Sequence, residues 1–281
     1  MRESFLKVLM SFFILSLFSS LHAHGFDEEG KAKWEFGWGV GTLVLPHYRG
    51  SNQETLLTYP VPYIRYHGDR LRVNREGARF YFYESDRVKV DISPAFALGV
   101  NSDDNDARTG MPDLKSIFEI GPRVQFTLYR SDDKNLRFRF SIPVRTATAT
   151  DFQSTENIGW VIAPFLQLRY FTDGWESAIA AGPVWADNTY HDYFYKVSPE
   201  YATANRPAYE ASSGYSGSRV TATLSKRFEK VFFGFFAKYD QLDNASFIDS
   251  PLIRQKNSFA LGVVLSWVFK SSTQAAHAPI N

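Results

Sequence analysis

The sequence predicts an all-β fold, a transmembrane antiparallel up-and-down β-barrel made behind a secretory signal peptide. Three observations predict it. Apolar residues recur at every second position through most of the chain beyond residue 33. The segments carrying that alternation run to about 10 to 14 residues, whereas strands of soluble sheets peak near 5–6. The connections between them alternate short and long, as periplasmic turns and outer loops do in outer-membrane barrels.

Composition narrows the field further. The chain has 281 residues, a formal net charge of +1 and no cysteine. Without cysteine it is not a disulfide scaffold, a zinc ribbon, a thiol enzyme or an iron–sulfur protein. The near-neutral charge argues against nucleic acid as a partner, because such a binder carries a basic surface. Aromatic residues make up 16% of the chain, with 25 Phe and 15 Tyr. Membrane–water interfaces concentrate such residues.

The elements follow in order. Arg2 and Lys7 precede an apolar run at 8–18, VLMSFFILSLF, and Ser19, Ser20 and Ala23 supply a small-residue cleavage region. This is a signal peptide over residues 1–23, cut after Ala23; the run is too short to span a bilayer. Without Arg2, Glu3 and Lys7 the exported chain is formally neutral. Residues 24–269 form the barrel. Trp34, Phe36, Trp38, Val40, Thr42 and Val44 point one way and Gly37, Gly39 and Gly41 the other. The glycines read as room for large side chains inside the barrel. Phe118, Ile120, Val124 and Phe126 alternate with Glu119, Gly121, Arg123 and Gln125. Leu136, Phe138, Phe140 and Ile142 alternate with Arg137, Arg139 and Ser141, and Phe259, Leu261, Val263, Leu265, Trp267 and Phe269 with small residues. One apolar and one polar face over such lengths suit lipid outside and a crowded polar lumen inside. No stretch of the exported chain shows a helical period.

The short turns read at 67–70, 84–87, 130–135, 172–174 and 229–230, and the long connections at 46–54, 101–115, 147–158, 188–216 and 242–257. Both termini belong on the periplasmic side, so the strand number is even. Two short turns in succession require an outer hairpin between them, and Asn74-Arg75-Glu76-Gly77 has the residues for its turn. That gives twelve strands; the two short strands so created leave ten open. The polar stretch 270–281 reads as a periplasmic tail.

Three stretches resemble the MltA-interacting protein (MipA/OmpV) family of Gram-negative outer membranes. They are Pro46-His47-Tyr48-Arg49-Gly50-Ser51 with Tyr59-Pro60-Val61-Pro62-Tyr63-Ile64; Tyr193-Phe194-Tyr195-Lys196-Val197-Ser198 through Arg206-Pro207-Ala208-Tyr209 to Gly214-Tyr215; and Lys238-Tyr239-Asp240-Gln241-Leu242 with Asp249-Ser250-Pro251-Leu252-Ile253. Tyr195-Lys196 stands where the family pattern has a Gly before Val-Ser. The resemblance implies an outer-membrane barrel without established catalytic residues. It also implies partners: outer-membrane lipid and lipopolysaccharide around it, and periplasmic murein-processing enzymes, since the namesake is described as a scaffold joining a murein hydrolase to a murein synthase. Other members are described as surface adhesins or osmoregulated proteins.

Candidate sites are few. His47 lies four residues before Ser51, and His191 beside Asp192, but no nucleophile, base and orienting group form a recognisable set. No enzyme and no cofactor is expected. The acidic run 101–106 lacks the Gly and Glu of a calcium loop and reads as a solvated loop. Inward positions carry Lys89, Asp91, Glu119, Arg123, Arg137, Arg139, Arg145, Arg169, Arg219, Lys238 and Asp240. They fit a ladder of ion pairs sealing the lumen, or a basic lumen that prefers anions. The long connection holds Tyr190, Tyr193, Phe194, Tyr195, Tyr201 and Tyr209, the residues of a plug or a docking surface. Two functions stay open: a scaffold of the cell envelope, and a channel for small polar solutes.

Overall fold

In the computed structural model the residues described are 32–273, apart from 69, 75, 76 and 152. The predicted signal peptide and residues 274–281 of the predicted tail lie outside them. Thirteen extended segments make the twelve staves of one closed antiparallel barrel. In chain order they are β1 (Trp34–Pro46), β2 (Glu54–His67), β3 (Leu71–Asn74), β4 (Gly77–Glu84), β5 (Val88–Ala97), β6 (Ser116–Arg130), β7 (Leu136–Thr150), β8 (Thr155–Ile162), β9 (Phe165–Thr172), β10 (Trp175–Ala186), β11 (Gly214–Phe228), β12 (Val231–Gln241) and β13 (Asn257–Ser271). β8 and β9 are two halves of one stave: β8 pairs with the outer half of β7 and β9 with its inner half. Pro164, which has no N–H to give a ladder, sits at the break. β13 closes the ring by pairing with both β12 and β1.

The period-two pattern is realised side chain by side chain. Along β13, Phe259, Leu261, Val263, Leu265, Trp267 and Phe269 are exposed, while Ser258, Ala260, Val264, Ser266 and Val268 between them are buried. The exposed apolar band is what a bilayer covers; in water it would be an aggregation surface. Among the described residues no helix is long and apolar enough to cross a membrane.

The hidden hairpin exists: β3 and β4 pair from Leu71–Phe80 to Asn74–Gly77, and the strand number is twelve. Three expectations need correction. The connection read at 147–158 is only residues 151–154, because β7 continues to Thr150 and β8 starts at Thr155. There the outward residues are Thr146, Thr148 and Thr150 and the inward ones Ala147 and Ala149, so no apolar alternation marks the strand. A helix, α1 (Asn188–Tyr195), stands in the long connection. Its signal was a cap rather than a period: the Asp187 carboxylate accepts from the Tyr190 N–H. Finally, Gly37 and Gly39 do not make room for large side chains. A Cβ on either would run into the backbone of β13, at the Trp267 and Leu265 carbonyls, so they let the closing strands approach. Gly41 does clear space, for a methyl of Val61, and Gly262 on β13 and Gly234 on β12 likewise clear it for Phe236 and Leu43 and for Val264 and Phe232.

Candidate functional site: the lumen and its outer cap

The lumen has two polar layers, and the register of the strands builds both. The lower layer lies toward the short turns. Cross-strand pairing sets Asp91 of β5 opposite Arg123 of β6, and the two form an ion pair at 1% exposure each, with Arg79 Nη1 3.9 Å from the same carboxylate. Arg72 donates to both oxygens of Glu84 at 3.2 and 2.7 Å, and Lys89 pairs with Glu84 as well. With the Gln125 amide oriented so that its oxygen faces Arg139, that oxygen accepts from Arg139 Nη1 and Nε at 3.3 and 3.1 Å. Arg169 reaches Glu176 at 3.2 Å, and Arg137 stands opposite Arg169 in the β7–β9 register. Arg65 and Arg227 lie 3.6 and 3.8 Å from Glu35. Arg123, Arg139, Arg169, Gln125 and Gln167 are all but inaccessible. Long, buried guanidinium side chains thus crowd this level of the lumen, and Arg72, Arg123 and Arg169 are held there by carboxylates.

The upper layer is looser. Asp240 accepts from Arg219 Nε at 2.8 Å and pairs with Arg49 Nε at 3.1 Å. Arg145 Nε donates to Glu119 at 2.8 Å, and the Tyr190 hydroxyl donates to the other Glu119 oxygen at 2.9 Å. Lys238 has no hydrogen-bond or ion-pair partner among the described residues. Between this layer and the outer loops lies a cavity of about 480 Å³, bordered by Arg49, Glu119, Arg145, Arg219, Lys238, Asp240 and by apolar groups including Leu57, Phe96, Phe165, Tyr190 and Phe194.

The cavity's roof is the cap formed by four outer connections, 47–53, 98–115, 187–213 and 242–256. Their shared core contains Tyr48, Met111, Leu114, Tyr195, Val197, Leu242, Phe247 and Leu252, with Tyr193, Phe194, Tyr201 and Tyr209 packed against it. Hydroxyls and guanidinium groups bond to loop backbone: Tyr48 to the Leu252 carbonyl at 2.7 Å, Tyr195 to the Arg49 carbonyl at 3.0 Å, and Arg206 Nη1 to the Ala107 and Thr109 carbonyls at 3.1 and 3.0 Å. Arg108 donates to the Phe194 and Pro112 carbonyls at 3.1 and 3.0 Å. Buried loop carbonyls need such partners, because nothing else reaches them. Burial pushes the Tyr48 and Tyr193 hydroxyls up to about 12, so both remain protonated donors.

Both sequence-flagged histidines sit in this cap, and each meets a serine. His191 Nδ1 donates to the Ser212 carbonyl at 2.6 Å, leaving Nε2 to accept from the Ser216 hydroxyl. Burial lowers the His191 pKa, which matches a neutral ring. His47 Nδ1 lies 3.0 Å from the Asn105 amide nitrogen, which also donates to Ser51 Oγ at 3.1 Å. Ser51 Oγ itself donates to the Gln53 carbonyl at 3.1 Å. Ser216 and Ser51 are fully buried. Each hydroxyl is therefore placed as a structural bond, away from any solvent path a nucleophile needs. In the acidic run, Asn105 is buried under these bonds and Asp103 stays at the surface.

Sequence reasoning missed Arg49, Arg72, Arg79, Glu84 and Glu176. Arg72 and Arg79 sit in strands too short to display a period, and Arg49 is in a loop that folds back over the lumen. A charged residue one position out of an aromatic run, as in Ala78-Arg79-Phe80-Tyr81-Phe82, was the available signal.

A closed ring of twelve antiparallel strands, lipid-facing outside and salt-bridged inside, defines an outer-membrane β-barrel protein of Gram-negative bacteria. Among solved structures the chain is similar to an outer membrane channel from Pseudomonas putida F1, at 12% identity and a TM-score of 0.46 over 88% of this chain and 100% of that one. It is also similar to a bacterial polysaccharide outer membrane secretin (8%, TM-score 0.41, 84% and 99%) and to outer membrane phospholipase A from Escherichia coli (9%, TM-score 0.35, 91% and 97%). No curated protein matches the sequence. The chain belongs to the family of MltA-interacting protein MipA, which it matches over residues 38–269.

Proposed function

We propose that this barrel is a non-conducting interaction protein of the cell envelope, a scaffold rather than a pore or an enzyme. The observation that carries the reading is the lower lumen layer, where Arg123, Arg139 and Arg169 are each at most 2% exposed inside the barrel. A filled cross-section leaves no continuous water path, whatever the outer cap does. The tyrosine-rich connection then serves as a second closure above it. The family name points to a murein hydrolase as partner, and the turns between β2 and β3, β4 and β5, β6 and β7, β9 and β10, and β11 and β12 are the surfaces such a periplasmic enzyme would meet.

The test is single-channel recording in planar bilayers beside crosslinking in envelopes. Wild type is expected to be silent, and so is a variant lacking residues 188–213, because the arginine layer persists. Adding Arg139→Ala and Arg169→Ala to that deletion is expected to open discrete, anion-preferring steps, since the remaining fixed charge is largely basic. Steps from wild type would refute the scaffold reading and support the channel. Recovery of a murein hydrolase from crosslinked envelopes, lost when the periplasmic turns are replaced, would support the scaffold.

A further inference from the structure

The barrel wall has a window. Among the described residues β2 pairs with β3 only at Tyr66–Val73 and His67–Arg72, so Glu54–Arg65 has β1 on one side and no described strand on the other. β4 pairs with β5 only from Tyr81–Asp91 to Glu84–Lys89, so Ile92–Ala97 has only β6. The cause is length. β3 has 4 residues, about 13 Å of wall, against an apolar band about 25 Å tall. The hairpin β3–β4 forms the sill. The connection 98–115 forms the lintel: it crosses to the connection 47–53 through Asn105 to Ser51 at 3.1 Å and the Asp106 N–H to the Gln53 side chain at 2.7 Å. The sill lies at the periplasmic end of β2 and the lintel among the outer loops, so the window faces the outer leaflet.

Open strand edges are costly in hydrocarbon, because lipid supplies no partner for backbone N–H and C=O groups. This sequence lowers that cost with proline, which brings no N–H. Pro60 and Pro62 lie in the unpaired part of β2 and Pro94 in that of β5, and prolines within sheets are confined to edges. The window is thus written into the chain.

Behind it lies the 480 Å³ cavity, which both jambs border: Thr55 and Leu57 from β2, and Ser93–Ala97 from β5. Its size suits a small ligand. It is apolar beside the window at Leu57 and Phe96 and basic across from it, where Arg49, Arg219 and Lys238 lie with Asp240, while Arg145, held by Glu119, reaches Ser93 Oγ of the β5 jamb at 3.4 Å. Arg49 and Arg219 share Asp240, and Arg145 holds Glu119, which leaves Lys238 without a direct ion pair among the described residues, drawn to Asp240 and Glu119 only from a distance.

We propose that this cavity binds a single-chain amphipath with an anionic head, of the fatty-acid class, taken laterally from the outer leaflet through the window between β2 and β5. The head lies at Lys238 and the chain against Leu57, Phe96 and Phe165. The binding needs no conduction across the barrel, so it stands apart from the scaffold reading.

The experiment uses the full-length exported protein in phosphatidylcholine vesicles with a palmitate analogue bearing a photoreactive diazirine on its chain. Label is expected on the peptides containing Leu57 and Phe96 and to be competed by laurate about tenfold better than by dodecanol, as a charge-assisted bond implies. Lys238→Met is expected to abolish that preference, and Ala95→Trp, which fills the window, to block labelling. Both variants must keep the gel shift on heating that marks a closed barrel. Since Ala95→Trp is the riskier fold, Ala95→Leu provides a graded second reading. Label confined to outward residues such as Leu261 and Leu265, equal competition by laurate and dodecanol, or full labelling of a folded Ala95→Trp would each overturn the proposal.

Discussion

The ring of Tyr195 lies flat on that of Phe247, with centroids 3.8 Å apart and planes 9° from parallel. His191 meets the same Phe247 edge-on at 4.8 Å, and the Tyr195 hydroxyl reaches across to the Arg49 carbonyl. One stack therefore ties the connections after β1, β10 and β12 into a single cap. Phe247 is completely buried, so aromatic contact and apolar burial act together there.

Phe247→Ala is expected to cost about 3–5 kcal/mol of local stability, the range for a large aromatic removed from a packed core. The loss should be confined to the cap. Limited proteolysis should cut residues 188–213 faster by orders of magnitude, while the heat-dependent gel shift of the barrel stays as in wild type.

Acid should loosen the same cap. Burial holds the His191 pKa below its ordinary 6.5, with the Arg49 charge adding to the effect and Asp187, Asp192 and the Ser212 carbonyl opposing it. The unfolded loop therefore takes up a proton before the folded one does. Stability is complete above pH 6.5 and falls as the pH drops through that value toward the lowered folded one. Hydrogen-exchange protection factors of residues 188–213, which correct for the intrinsic slowing of exchange as the pH falls, should drop between pH 7.5 and 5. His191→Gln should flatten that drop. An unchanged profile in that variant would assign the effect to other groups.

Removing one member of the deepest ion pair should be costly. Asp91→Asn keeps the shape but leaves Arg123 and Arg79 without their carboxylate, a loss of about 3–5 kcal/mol for a buried charge stripped of its partner. Urea unfolding from vesicles measures it. Equal stability of the variant would mean that water or an anion reaches the lower layer.

Depth should govern tolerance on the lipid face. Leu265→Arg is expected to cost about 2–4 kcal/mol and Phe269→Arg, near the periplasmic rim, about 0–1 kcal/mol. Inward positions are not tolerant merely because they avoid lipid. Ser141 is 1% exposed beside the arginine layer, so Ser141→Arg should be at least as damaging as a lipid-facing change. Denaturant midpoints of the three variants order these costs.

The sequence by itself determined the strands, their faces and the place of the membrane. Side-chain direction in a strand has period two, so Phe259 to Phe269 could only form one apolar stripe, and the parity of short turns demanded the hairpin around Asn74 and Gly77. Inward charges such as Asp91 and Arg123 were legible for the same reason. Only the tertiary structure decided which charges meet. Their pairing depends on register between strands, and Arg49 reaches Asp240 across 191 positions of chain through a loop that has no period to read. It also decided that Thr146–Thr150 is wall rather than loop, because a strand above the bilayer needs no apolar face, and that four loops share one core around Phe247. Long-range contacts between irregular segments leave no periodic trace in sequence, and the cap and the window between β2 and β5 are made of them.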